Sequence, residues 1–400
     1  MNIQHKYKIV LSALVSLTLL SGCGTTSEGE CSCVPPMGKA QLGAELYSDT
    51  TLSRDKTMSC ATCHDLDSGF VDSRFSKDDD NNPVHGALSV GQDNVSLGGR
   101  NTPTAGYAQF SPDFTFDSAK NAYVGGQFHD GRSKDLQAQA KGPFLDGAEM
   151  QMPSAASVVE RVQENSSYVT SMKTIYGETI FDNSDTAYDA ITDAIAEFEK
   201  TELFATFDSK YDKFLRGDYR MTGQEELGYS LFFSTNNTNC VQCHTLNSKS
   251  EDNSNKELFT NYEYENVGAP RNLEALAAKN LPLTHTDLGL GGRGDINDTT
   301  HYSKFKVPTL RNVAVTGPYM SNGVFKNLRT VLEFYDHMAG QGNHPINPET
   351  GNAWLEPEHN ATVNYEVLKD TKELTDTKVE ALEAFLKLLT DAKFERLLAD

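Results

Sequence analysis

Two copies of one short motif constrain this chain more than any other feature. Cys60-Ala61-Thr62-Cys63-His64 and Cys240-Val241-Gln242-Cys243-His244 share the order Cys-x-x-Cys-His. In a helix, residues i, i+3 and i+4 lie on one face, so both thiols and the imidazole reach the same macrocycle. This spacing is typical of c-type haem attachment, in which the thiols form thioethers and the histidine binds the iron. A structural zinc site would need four ligands clustered from paired motifs, and a histidine in both copies argues against it. The sequence predicts two covalently bound c-type haems.

The N-terminus has the pattern of an export signal. Residues 9–20 are apolar, follow two lysines, and are too few to span a membrane, which takes about 20 apolar residues. The following Leu20-Ser21-Gly22-Cys23 resembles the lipobox of bacterial lipoproteins, in which Cys23 carries the lipid; ordinary signal cleavage nearby is the alternative. We therefore predict a signal peptide over 1–23, a flexible tether over 24–37, and a periplasmic protein anchored to the membrane by lipid at Cys23.

The charge of the chain limits its partners. A formal net charge of −21 argues against a nucleic-acid-binding protein, which needs clustered cations. An acidic surface would steer a basic patch on a redox partner, and it would equally serve solubility alone.

The haem motifs belong to a larger internal duplication, so we predict two versions of one small domain. The fold class is mainly α: two tandem cytochrome c-type haem domains with long loops and little β, over residues 38–218 and 219–400, with the break near 216–222. Each unit should contain a helix, the haem motif, a long loop, an Asx-Gly turn and a further helix. The repeated segments are Leu42–Tyr47 and Leu227–Phe232, Asn101–Thr104 and Lys306–Thr309, and Asp130-Gly131 and Asn322-Gly323. Helical patterns cover Ala155–Tyr176, Ala187–Leu203, Gln224–Phe233, Leu328–Met338 and Lys378–Leu398.

From about Leu42 to its C-terminus, the chain resembles the bacterial di-haem cytochrome c peroxidase family, which includes MauG. The resemblance implies an N-terminal haem that reacts with hydrogen peroxide and a C-terminal haem that passes electrons to it. It also implies a homodimer, and a small cytochrome or cupredoxin as electron donor. Besides the haem motifs, it rests on Arg100–Thr104, Asp130–Arg132, Gln139–Pro143 with Glu149-Met150, Val307–Asn312 and Gly317–Tyr319.

The resemblance assigns the peroxide site to two side chains. Glu149 matches the distal carboxylate of the family and Gln139 matches its companion amide. An apolar haem pocket would raise the pKa of a carboxyl group, which suits Glu149 to moving a proton between the two peroxide oxygens.

The first haem departs from the classical pattern. Classical members have a histidine that caps this iron in the resting state, and the matching position here is Gln92. An amide is a poor iron ligand, so we predict an open, high-spin first haem. His85 lies nearby in sequence and is the alternative ligand.

The second haem departs from it as well. Its sixth ligand should come from the helix after Asn322-Gly323, where Tyr335 aligns with the methionine of classical peroxidases, as in MauG-like proteins. Tyrosine is an accepted haem ligand, and we favour it. Met338 shares the same helix face and is the rival, and a packed core aromatic is the structural alternative for Tyr335.

Two further expectations come from the resemblance. The tryptophan usual between the haems is replaced by His129, which either relays charge or protons or is a hydrogen-bonded structural residue. The calcium ion common between the two domains would take its ligands from the side-chain oxygen of Asn101 and the backbone carbonyls of Thr316 and Pro318.

Three functions remain open at this point. The leading hypothesis is reduction of hydrogen peroxide with electrons from a small redox protein. The alternative is a MauG-like enzyme that uses peroxide to oxidise tryptophan or tyrosine residues of a partner protein; Tyr335 favours it and His129 argues against it. The third is electron transfer without catalysis, and the Gln139 and Glu149 pair argues against that.

Overall fold

The computed structural model describes residues 36–75, 87–246 and 256–398, and from residue 36 onward the chain forms one compact unit. The predicted signal peptide, Cys23, nearly all of the tether and His85 lie outside the described residues. No helix of the described ranges is long and apolar enough to cross a membrane.

The fold is mainly helical with little sheet, as predicted. The strands form two small antiparallel sheets: β1 (Thr115–Asp117) pairs with β2 (Ala122–Val124), and β3 (Tyr264–Glu265) pairs with β4 (Phe305–Lys306). Twelve α-helices occur in the described ranges: α1 (Lys39–Ser48), α2 (Cys60–Cys63), α3 (Leu136–Leu145), α4 (Ala155–Gln163), α5 (Ser166–Tyr176), α6 (Ser184–Glu199), α7 (Lys210–Leu215), α8 (Gly223–Phe232), α9 (Leu273–Ala278), α10 (Leu328–Met338), α11 (Tyr365–Leu368) and α12 (Asp376–Lys387).

The duplication is visible as two matching helix crossings. In the first half α1 crosses α6, and a Cβ on Gly43 would collide with the backbone carbonyl of Ala194. In the second half α8 crosses α12, and a Cβ on Gly228 would collide with the carbonyl of Ala381 in the same way. Glycine at both crossings lets the helix backbones touch, so the two halves share one packing scheme.

The Asx-Gly turns also recur as predicted. Gly131 and Gly323 have φ of 69° and 61°, a backbone conformation that glycine adopts without strain. The next helices, α3 and α10, begin five residues after each glycine, at Leu136 and Leu328. The unit of helix, haem motif, loop, turn and helix is therefore built twice.

Two hydrophobic clusters fill the two halves. The first collects buried side chains from α1, α3, α4, α5 and α6, and the second collects them from α8, α10 and α12. Two residues cross the predicted boundary at 218/219: Tyr211 of α7 packs in the second cluster, and Phe394 near the C-terminus packs in the first. The division into domains at that position stays a prediction.

The predicted helix bounds need three corrections. The helix predicted over 187–203 covers Ser184–Glu199, and a separate 3₁₀ turn over Glu202–Phe204 follows it. The pattern over 155–176 is two helices, because the Asn165 side chain accepts hydrogen bonds from the backbone N–H groups of Ser167 and Tyr168 and starts α5 there. The pattern over 378–398 is also broken: α12 ends at Lys387, and a 3₁₀ turn over Ala392–Leu397 follows.

Two candidate haem sites

The two motifs adopt related local structures. The first is the short helix α2, whose start is capped reciprocally by the side chains of Ser59 and Thr62. The second is a 3₁₀ turn over Cys240–Gln242 rather than an α-helix. In both, the backbone N–H of the histidine donates to the carbonyl of the first cysteine, over 2.9 Å for His64 and 3.0 Å for His244. That bond closes the motif and brings the thiols and imidazole to one side.

The two histidines are held alike, in the manner expected of an iron ligand. His64 Nδ1 lies 3.1 Å from the carbonyl oxygen of Phe70, and His244 Nδ1 lies 2.9 Å from that of Phe259. A hydrogen bond from Nδ1 to a carbonyl fixes the ring and leaves Nε2 for a metal. Burial lowers the pKa of both imidazoles, which keeps them in the neutral form that binds iron.

The thiols fit the same role. Cys60, Cys63, Cys240 and Cys243 are free, with no disulfide among them. Burial raises the pKa of Cys63 and Cys243 to about 12. A neutral thioether is therefore better suited to these positions than a thiolate. With the two histidines, the donor set fits two c-type haems, and the two sites define a di-haem c-type cytochrome.

Glu149 lies beside the first motif, where its charge acts on both Cys60 and Cys63. Burial, helped by the negative charge of Asp146 and opposed by Arg132, raises the pKa of Glu149 to about 7. The loop after α3 positions it: its N–H donates to the Asp146 carbonyl over 3.1 Å. A carboxyl group with this pKa can accept and return a proton at neutral pH.

Gln92, at the position of the histidine ligand of classical members, uses its side-chain amide in hydrogen bonds to other residues of the chain. Gln92 is 3 % exposed, and its side-chain oxygen accepts from the Asp55 N–H over 3.1 Å. Its amide nitrogen donates to Gln151 Oε1 over 2.8 Å, and its backbone N–H donates to the Glu149 carbonyl over 2.9 Å. Gln92 therefore supports the Glu149 loop through its amide nitrogen and its backbone N–H, while its side-chain oxygen is bound to Asp55. Gln139 lies partly buried on α3, and its role stays a prediction.

The two rival ligands on α10 point to different surroundings. Tyr335 lies near the second motif: burial raises the pKa of its phenol, and the charges of Cys243 and Cys240 add to the increase. Met338 packs with Phe325 and Trp354, and its methyl group faces Gly268. This placement supports Tyr335 over Met338 as the ligand of the second haem, an assignment that stays a prediction.

His129 is buried and bonded to the chain. Its Nε2 lies 2.9 Å from the Asn101 carbonyl oxygen, and its own carbonyl accepts from the Lys306 N–H over 2.8 Å. Burial, and then the charge of Arg100, lowers the pKa of His129 to about 4. A hydrogen-bonded imidazole that is neutral at neutral pH fits the structural alternative for this residue, and the choice between that role and a relay of charge or protons stays open.

The predicted calcium ligands lie on two neighbouring loops. Asn101 donates from its side-chain nitrogen to the Ala87 carbonyl over 3.1 Å, and its N–H donates to the Ser321 carbonyl over 2.9 Å. The second bond holds it against the loop that contains Thr316 and Pro318. The three residues offer oxygen donors, which suit calcium, and no carboxylate.

Two charged residues at the first motif were not foreseen from sequence. Arg74 Nη2 donates to Asp72 over 2.6 Å and lies 3.4 Å from Cys63 Sγ. Glu199, the last residue of α6, is 6 % exposed and raises the pKa of the Cys60 thiol. Neither residue belongs to a repeated or recognisable motif, so only the folded chain shows that they face the haem site.

Known proteins share this architecture. The family described as di-haem cytochrome c peroxidase matches residues 37–220. The methylamine utilization protein MauG of Paracoccus denitrificans is 44% identical over 362 residues, which cover 90% of each chain. The cytochrome c551 peroxidase of Nitrosomonas europaea is 32% identical, over 74% of this chain and 71% of its own.

A solved structure agrees. The diheme peroxidase BthA from Burkholderia thailandensis superposes with a TM-score of 0.74 at 26% identity, over 90% of this chain and 88% of its own. The chain belongs to the di-haem cytochrome c peroxidase and MauG family. It is an oxidoreductase that carries two c-type haems and uses peroxide, and its family is in general periplasmic.

Proposed function

We propose that this enzyme reduces hydrogen peroxide at the site of Cys60, Cys63 and His64, with electrons delivered by a small cytochrome or cupredoxin through the second site. The observation that carries the proposal is Glu149, a half-buried carboxyl group beside the first motif with a pKa raised to about 7. A haem with an open position supplies the redox chemistry on the peroxide bond.

The protein's own residues handle the proton. Glu149 takes the proton from one peroxide oxygen and returns it to the other, so that water can leave. Gln139 orients the substrate from α3. Arg132 opposes the increase in the pKa of Glu149, which keeps that pKa near neutrality rather than above it.

The two sites are proposed to differ in coordination. At the first, the Gln92 amide is bound to Asp55 and Gln151, which supports an iron with one position free. At the second, His244 and Tyr335 are proposed as the two side chains that would hold the iron. A calcium ion bound by Asn101, Thr316 and Pro318 would hold the loops between the sites.

A second candidate function is oxidation of aromatic residues on a partner protein, with peroxide as oxidant. The 44% identity to a MauG protein over 90% of both chains favours it. His129 at the position of the bridging tryptophan argues against it, because an imidazole is harder to oxidise than an indole and is a poor substitute for it in sharing charge between the sites.

Steady-state kinetics separates the two. Sustained turnover of peroxide with reduced cytochrome c or cupredoxin supports the peroxidase. Negligible turnover, together with peroxide-dependent modification of a partner protein, supports oxidation of aromatic residues on that partner. The proposed anchor at Cys23 is tested separately, by Cys23→Ser and membrane fractionation, and the proposed homodimer by sedimentation of the lipid-free protein.

A further inference from the structure

The first haem site contains a buried carboxyl group without a hydrogen bond. Glu199 is 6 % exposed, and its Oε2 is fully buried with no hydrogen-bond partner in the described part of the chain. A buried carboxyl oxygen in this state carries a desolvation cost, which is larger if the group is ionised. Burial alone raises the pKa of Glu199 to about 8.

The second half of the molecule shows that the fold does not need this group. The glycine contacts align Gly43 with Gly228, and the Cβ of Phe198 with that of Phe385, so Glu199 corresponds to Leu386. Leu386 is 5 % exposed, and leucine fills the position without a polar atom.

The two halves also differ at a second position, where the first has a tyrosine and the second a phenylalanine. Tyr47 of α1 corresponds to Phe232 of α8, and both rings pack edge-on or tilted against the matching phenylalanine, at 5.3 and 5.1 Å between centroids. The Tyr47 hydroxyl donates to the His64 carbonyl over 3.4 Å. The first half thus has a glutamate and a tyrosine where the second has hydrocarbon, and both contribute to the surroundings of the first haem.

The titratable groups facing this position come from several elements. The charge of Glu199 acts on Tyr47 of α1 and Cys60 of α2. Cys60 also interacts with Cys63 of α2, with Glu149 from the loop after α3 and with Tyr188 of α6, and Asp65 acts on Tyr47. Cys60 and Cys63 are neutral once they are thioethers. Burial holds the pKa of Tyr47 well above its ordinary value, so the phenol stays neutral. Glu199 and Glu149 remain as the groups that can change charge near neutral pH.

We propose that Glu199 is the proton-accepting group of the first haem site: it binds one proton from solvent when the iron held by His64 gains an electron, and releases it when that electron leaves. The electron comes from the reductant and the proton from a hydronium ion or buffer acid, whose bond to that proton breaks as the O–H bond of the carboxyl group forms. Positive charge nearby favours the carboxylate, and its loss favours the neutral acid, so the two equilibria are linked.

The test is an EPR-monitored redox titration of the first haem between pH 5.5 and 9, with no peroxide present. One proton per electron changes the reduction equilibrium tenfold per pH unit, about 59 mV for a one-electron couple. We expect this slope over part of the range in the wild type and in Glu149→Gln, and a clearly smaller slope in Glu199→Gln and Glu199→Leu, where Glu149 is the remaining group that changes charge. Glu197 is also on α6 and forms an exposed ion pair with Lys200. Glu197→Gln is the control variant and should behave as the wild type.

An unchanged slope in Glu199→Gln, or a slope that disappears in Glu149→Gln instead, overturns the proposal. Leucine is the residue that the second half holds at this position, so Glu199→Leu should fold even where glutamine does not. Proton uptake per electron, measured in the wild type with an indicator dye, provides a check without any variant, and zero uptake overturns the proposal. Because the titration contains no peroxide, a negative result would disprove the role of Glu199 without bearing on the proposed peroxide reduction. A protein that does not react with peroxide could likewise still show proton uptake by Glu199.

Discussion

Burial gives Glu149 a property that a surface glutamate lacks. An unperturbed glutamate is ionised above about pH 4.3, whereas burial raises the pKa of Glu149 to about 7. Between these values the folded protein keeps the carboxyl group protonated and unable to accept a proton. The rate of the reaction with peroxide should therefore rise with pH, level off above about pH 7, and follow the ionised fraction of Glu149.

Stopped-flow measurement of the peroxide reaction tests this expectation. Glu149→Gln should retain both haems, react about 10²–10⁴ times more slowly, and show no pH dependence near 7. Glu160→Gln, on the exposed face of α4, is the matched control and should react as the wild type. A Glu149→Gln protein with the wild-type rate would show that the carboxyl group takes no part.

At the scale of secondary-structure elements, the two helix crossings should be equally sensitive. Alanine at Gly43 or Gly228 places a methyl group into a backbone carbonyl of the crossing helix, which cannot move aside as a side chain can. We expect each substitution to lower the free energy of unfolding by about 1–3 kcal/mol. Thermal unfolding of the haem-containing protein measures the effect.

Gly223→Ala provides the comparison for both crossings. A Cβ at Gly223, the first residue of α8, meets no atom within 4 Å. The free energy of unfolding of the Gly223→Ala protein should therefore be unchanged or slightly higher. Equal stability of all three variants would mean that the helices do not cross as closely as described.

At the scale of the whole molecule, the end of the chain supports the first site. Phe394 is 1 % exposed, and its ring lies 5.3 Å from that of Phe70, whose carbonyl oxygen holds His64. Phe394→Ala should cost about 3–5 kcal/mol of stability and alter the absorption spectrum of the first haem more than that of the second. Leu397→Ala, at 40 % exposure, should do neither.

Sequence patterns predict the features that neighbouring residues determine, and they miss the contacts between residues far apart in the chain. The bounds of α10 and the two Asx-Gly turns follow from neighbouring residues and are found as predicted, whereas the helix expected at the haem motif is found in the first copy and is a 3₁₀ turn in the second. The helix break at Asn165 was missed because apolar periodicity continues across a capping residue. Glu199 could not be placed from sequence, because its surroundings depend on the crossing of α1 and α6. Phe394 could not be placed either, because it contacts Phe70, more than 300 residues away in the chain.

We propose that one iron has a free position and that the other is fully coordinated, by His244 and Tyr335. EPR of the oxidised protein tests it directly, with the wild type compared with Tyr335→Phe. We expect one high-spin and one low-spin signal in the wild type, and a changed second signal with the first intact in Tyr335→Phe. Two low-spin signals in the wild type, or no change on substitution of Tyr335, would contradict it.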